Sequence, residues 1–173
     1  MDDQTYRLAL NLIVATGMVI FTVAVHLAGL TGLVAVTRRA TPNLRARDDI
    51  LGQAGLIMGI VLGLFLLHSI QIWAYAVLYE LIGAFGSFEA ALYFSTVAFT
   101  TVGFGDLVID SHWRLVSAIE AANGFILIGW STAFLVSVTR QLRLLEAEIE
   151  EEIEELEDGR HARGRARRGR EAR

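Results

Sequence analysis

Three long apolar stretches and one short one divide this chain of 173 residues. Leu8 to Val36 runs uncharged for about 29 residues, longer than the ~20 that cross a bilayer, so a tilt or a protruding end is expected. A polar loop follows at 37–49. A second apolar helix is predicted over 50–79 and a third over 112–140, with its apolar body between Arg114 and Val138. Between them lies Ser87 to Phe99, too short to span and suited to a re-entrant helix. Ser87 is placed to cap its N-terminus, with Glu89 in the first turn.

Charge gives these stretches a direction. Arg38, Arg39, Arg45 and Arg47 sit in the first loop, and Arg140 and Arg143 follow the third helix. Basic loops stay in the cytoplasm, so the N-terminus is expected outside and the C-terminus inside. Arg7 and Arg114 are then the only bases outside. Trp73, Tyr75 and Tyr79, and again Trp113, gather where an outer aromatic belt would lie. A signal peptide fits the first stretch poorly: its start is acidic (Asp2, Asp3), the apolar run is too long and no short cleavage site follows. A retained membrane helix is expected.

The short helix leads into Thr100-Thr101-Val102-Gly103-Phe104-Gly105-Asp106. Pointing successive carbonyls at one axis requires backbone dihedrals that alternate in hand. Gly103 and Gly105 accept positive φ without a Cβ penalty. Thr101 to Phe104 can therefore line a path for a bare cation, with Val102 and Phe104 packed behind it. A helix C-terminus aimed at the path favours positive charge there, and carbonyl rings that replace a hydration shell select among ions. Irregular backbone at membrane depth is tolerated only when it is buried in protein or lines a wet cavity. One chain supplies one wall, so several copies are needed.

Composition agrees with a membrane protein: 54% of residues are hydrophobic and mean hydropathy is positive, above the range of soluble domains. There is no Cys, hence no disulfide framework or thiolate site. The net charge of −4 hides segregation. Residues 146–158 hold nine acids and no base, whereas 160–173 hold seven Arg and one acid. Basic residues interleaved with aromatics, as nucleic-acid binding requires, are absent. Leu145, Ile149, Ile153 and Leu156 follow an 11-residue step, which favours a straight or slightly right-handed bundle. An acidic cytoplasmic helix is expected at 141–158 and a disordered Arg-rich tail at 159–173. Four copies would gather about 36 carboxylates, which repel at neutral pH and draw together with protons or divalent cations such as Ca²⁺. The Arg tail suits anionic lipid.

These residues carry a resemblance. The short helix with Tyr93-Phe94, the TTVGFGD stretch and the Trp113-Arg114 start of the third helix resemble the pore module of tetrameric potassium channels, of the bacterial single-pore "ion channel 2" type. With the outer helix, the similarity covers roughly half the chain. It implies an all-α membrane homotetramer in which each subunit gives an outer helix (50–79), a pore helix (87–99), a filter (100–106) and an inner helix (112–140), together 50–140. Residues 1–36 add a helix beyond that module, without the arginine ladder of a voltage sensor. The resemblance implies K⁺ binding by oxygens of Thr101, Val102, Gly103 and Phe104, with Thr101 adding its hydroxyl. Thr100 and Gly105 support the filter, and Asp106 stands at its outer mouth. Phe104 occupies a position where Tyr is commoner, so a hydroxyl tie to the pore helix is missing. Val97 stands where some members hold a carboxylate.

Polar groups inside the helices are the remaining candidates. Glu120 is expected to bond the pore helix or support the filter. Gly124 and Gly129 are candidates for a gating hinge, with close helix packing as the competing role. Ile128, Thr132, Ala133 and Val136 are candidates for the cavity lining. His26 and His68 read as histidines satisfied by neighbouring helices, with a pH sensor as the competing role. Without a nearby carboxylate they make a poor metal pair. No nucleophile–base set is present and no cofactor is expected beyond K⁺. The sequence thus points to passive K⁺ conduction across an inner membrane, in contact with lipid. A weakly selective cation channel and a non-conducting adaptor with a vestigial pore are the alternatives.

Overall fold

The computed structural model describes residues 3–45 and 50–140. The chain is an all-α membrane protein with no strand among the described residues. Helix α1 spans Asp3–Arg45, α2 Ile50–Leu81, α3 Phe88–Phe99 and α4 Arg114–Arg140. Helices α1, α2 and α4 are long and apolar enough to cross a membrane, and α3 is not. The expected helix at 141–158 and tail at 159–173 lie outside the described residues, as do 46–49.

One boundary differs from expectation. Helix α1 extends at both ends, through 43 residues to Arg45, so most of the predicted 37–49 loop is helical. Apolarity marks where a helix enters lipid, whereas the hydrogen-bond ladder continues as long as the residues tolerate it.

Small residues bring α1 and α2 together. A Cβ at Gly29 would lie 2.5 Å from Leu67 Cδ1, and one at Gly63 would lie 3.0 Å from Leu33 Cδ2. This is the close approach by which transmembrane helices gain contact without a hydrophobic driving force. Ala15 of α1 is fully buried among Tyr75, Tyr79, Phe94, Phe99 and Leu127. A second cluster joins Leu30, Ile60, Leu64 and Val138. The helix beyond the minimal module is thus part of the core.

Tyr75 and Tyr79 correct the reading of an interfacial belt. Trp73 is exposed, but both tyrosines are completely buried. Their hydroxyls have partners on α4 (below), and a satisfied hydroxyl removes the cost of burying the ring.

Candidate functional site

Ser87, extended at φ −155°, caps α3 by accepting the Ala90 N–H at 3.2 Å. The other end of α3 shapes the Thr100–Asp106 stretch. Thr101 N–H donates to the Ala98 carbonyl (2.9 Å) and Val102 N–H to the Val97 carbonyl (3.1 Å). This pair of bonds is a Schellman closure, and it requires a left-handed residue after the C-cap. Helix α2 ends the same way: Gly83 N–H reaches Glu80 O, Ala84 N–H reaches Tyr79 O, and Gly83 has φ 65°. In α3 the left-handed position holds Thr101, at φ 60°. A β-branched residue there is an outlier, costing ~1–2 kcal/mol that glycine would not.

The alternation continues. Gly103 and Gly105 take φ 60° and 76°, and no other non-glycine residue has positive φ among those described. Residues 101, 103 and 105 are therefore left-handed, and 102 and 104 are not. In an ordinary strand successive carbonyls oppose one another; alternating the hand turns them to one side. Gly103 N–H also reaches Val97 O at 3.3 Å, so one α3 carbonyl holds the amides of Val102 and Gly103. Thr100 Oγ1 donates to Thr96 O at 2.7 Å.

Asp106 ends the stretch. Its Oδ2 accepts from the Tyr93 hydroxyl at 2.7 Å. That bond holds the carboxyl below the usual carboxylate range. Tyr93 thus ties the Thr100–Asp106 stretch to α3 although Phe104 and Val97 cannot. The loop beyond is held by Asp110, which accepts from the His112 N–H at 2.8 Å and from His112 Nδ1 at 2.6 Å; these bonds lower its pKa as well. Arg7 of α1 contacts the other nitrogen of His112.

Val102 and Phe104 are 53% and 70% exposed within the subunit. Between the Thr100–Asp106 stretch, α3 and α4 lies a cavity of about 400 Å³ bordered by Tyr93, Val97, Thr101, Asp106 and Ala121.

Glu120, fully buried on α4, joins three helices. Its Oε2 accepts from Tyr79 of α2 at 2.5 Å, and its Oε1 lies 2.6 Å from Ser95 Oγ of α3. Ser95 Oγ also lies 2.9 Å from the Ile72 carbonyl. One turn on, Asn123 donates to Thr22 Oγ1 of α1 (2.8 Å) and Tyr75 of α2 (3.3 Å). Gly124 packs against Phe99, while Gly129 meets nothing within 4 Å in the subunit. Of the candidate cavity residues, Thr132, Ala133 and Val136 share a face of α4 that its own subunit leaves exposed. Ile128 does not: it packs on the core beside Leu127. The free face instead contains Phe125 and Ile126.

Sequence reasoning missed Thr22, Gln71, Ser95 and Ser131, all buried. Each is a polar interruption in an apolar run, the available signal that a partner waits on another helix. No metal-binding cluster of three ligands exists among the described residues. Residues 56–141 match the family model described as "Ion channel". Comparisons with curated proteins and with solved structures found no match.

Proposed function

We propose that this chain, a member of the ion channel family through residues 56–141, is a potassium-selective channel that conducts K⁺ passively through a fourfold carbonyl-lined filter. The observation that carries this reading is the alternation of left-handed backbone at Thr101, Gly103 and Gly105 directly after the pore helix. Oxygens of Thr101, Val102, Gly103 and Phe104 replace the water of a dehydrated ion, and repulsion between neighbouring ions moves them on. Ions leave past Asp106, whose lowered pKa keeps a negative charge at the mouth. The tetramer is supported by the exposure of Val102 and Phe104, which further copies would cover, and by the uncovered face of α4 holding Thr132, Ala133 and Val136. Multi-pass insertion, with the N-terminus outside and the C-terminus in the cytoplasm of a bacterial-type inner membrane, follows from the arginine distribution. A gate at the acidic 141–158 segment, tuned by protons or divalent cations, belongs to the same proposal. No catalysis is assigned.

Weak selectivity among monovalent cations is the second reading, favoured by the absence of a hydroxyl on Phe104. Reconstitution into vesicles with a K⁺ gradient decides between them. A reversal potential following K⁺ over Na⁺ is expected. A value near zero against Na⁺ supports the second reading, and no flux at all supports a non-conducting adaptor.

A further inference from the structure

A row of hydrogen bonds crosses the molecule beside Phe99. Ser131 Oγ of α4 lies 2.9 Å from His68 Nε2, and His68 Nδ1 lies 3.1 Å from Gln71 Oε1 on α2. Gln71 Nε2 then donates to the Thr22 carbonyl (3.2 Å) and to His26 Nδ1 (3.1 Å), both on α1. The proton positions follow from the chemistry of the partners. A backbone carbonyl only accepts, so Thr22 O fixes the Gln71 amide with its NH₂ toward α1 and its oxygen toward His68. That oxygen also only accepts, so His68 carries its hydrogen on Nδ1, and its Nε2 lone pair receives the Ser131 hydroxyl. His26 Nδ1 receives from Gln71, which leaves the hydrogen of the neutral ring on Nε2, a buried atom without a partner.

The two histidines therefore answer differently to an added proton. On His26 it must go to Nδ1, where it faces the Gln71 NH₂, donor against donor. On His68 it goes to Nε2. Ser131 can then turn, accept that hydrogen and pass its own to the carbonyl four residues back, as helical serines do. Every bond of the row survives, and two become charge-assisted. Access agrees, since His68 is only partly buried and His26 is fully buried. The groups around the pair are uncharged: Trp130 of α4, 5.6 Å from the His26 ring, and Phe99 of α3, 5.9 Å from the His68 ring. The next ionisable group along the chain of bonds is Tyr75, reached through Thr22 and Asn123; its ring meets that of Tyr79, which is bonded to Glu120. The imidazoles, 5.5 Å apart, oppose double charging.

We propose that His68 is a single-proton regulatory site whose charged form locks α4 to α2 and, through Gln71, to α1. The lock lies beside the Phe99–Gly124 contact, so it holds α4 against the pore helix, and acid reduces conduction. The effect on conduction rests on the channel reading; the proton site does not.

Two measurements on the full chain test it. The protein has four histidines, so histidine-selective ¹⁵N labelling gives a readable spectrum. Expected is His68 becoming doubly protonated as the pH is lowered from neutral while His26 stays neutral with hydrogen on Nε2. Vesicle K⁺ flux should fall several-fold over the same range. His68→Asn should remove the part of the fall that follows His68 charging, so that flux drops less in the variant than in the parent, and His26→Asn, which keeps an acceptor toward Gln71, should leave the parent response intact. Ser131→Ala, which removes the acceptor for the added proton, should move the response to lower pH. His26 charging first, or neither ring charging, overturns the proposal. So does a wild-type flux that stays flat while His68 charges, or a fall as large in His68→Asn as in the parent. If no variant conducts at any pH, the channel reading fails and the ¹⁵N titration alone decides the proton site.

Discussion

A Cβ placed on Gly124 would lie 2.1 Å from the carbonyl oxygen of Phe99. Helix α4 and the last residue of α3 thus touch backbone to backbone. Gly124→Ala cannot be absorbed by a rotamer change, because the obstacle is main chain. It should cost ~1–3 kcal/mol as an overpacked contact and displace the start of the filter, read as a lower unfolding temperature in detergent and reduced K⁺ selectivity. Gly129→Ala meets nothing in the subunit and gains up to ~1 kcal/mol of helix propensity; it should fold as well as the parent. Equal tolerance of both would remove the packing role given to Gly124.

Thr101 and Gly83 occupy equivalent positions in two helix-ending closures, and only Thr101 bears strain. Thr101→Gly should relieve ~1–2 kcal/mol yet lose the hydroxyl that the proposed filter would offer to an ion. Expected is a protein at least as stable as the parent with diminished K⁺ over Na⁺ discrimination. Thr101→Ser should keep selectivity. Loss of stability in Thr101→Gly, measured by thermal unfolding, would show that strain is not what the site carries.

Ser95 has one hydroxyl hydrogen and two acceptors within reach, Glu120 Oε1 and Ile72 O. A glutamine at 120 accepts from Tyr79 and donates to Ser95 Oγ, freeing the serine hydrogen for Ile72. Glu120→Gln should therefore fold close to wild type. Glu120→Ala abandons buried partners and should lose ~1–3 kcal/mol for each unpaired group. Denaturant unfolding in micelles compares the two. A Gln variant as damaged as the Ala variant would mean that the ionised carboxylate itself is needed.

At the outer mouth the sign of the pH effect is set by Asp106. Its folded-state pKa lies below the ordinary 3.8 because the Tyr93 hydroxyl favours the charged form. The Asp106–Tyr93 tie is thus fully present above pH 3.8 and is lost as pH falls through the lowered value. Selectivity should be insensitive to outside pH from 8 down to 5 as far as this pair is concerned. Tyr93→Phe should slow recovery of conduction after prolonged opening at neutral pH, and external acid should add little to that variant. A variant with unaltered recovery would dispose of the tie.

The chain by itself determined the membrane helices, the short pore helix with Ser87 as its cap, and the place where backbone must turn left-handed. Hydropathy and glycine positions are local properties, and the bilayer reads them directly. What it left open was which face of each helix points inward. Lipid-facing and core-facing residues are equally apolar, so nothing local separates Ile128, which packs inward, from Val136, which does not, or a buried Tyr79 from an interfacial one. The partners of Glu120, His68 and Asn123 were equally hidden, because they come from helices 41, 63 and 101 residues away. Tertiary structure also decided Thr101: the closure bonds of α3 demand a left-handed residue there, and threonine bears that cost.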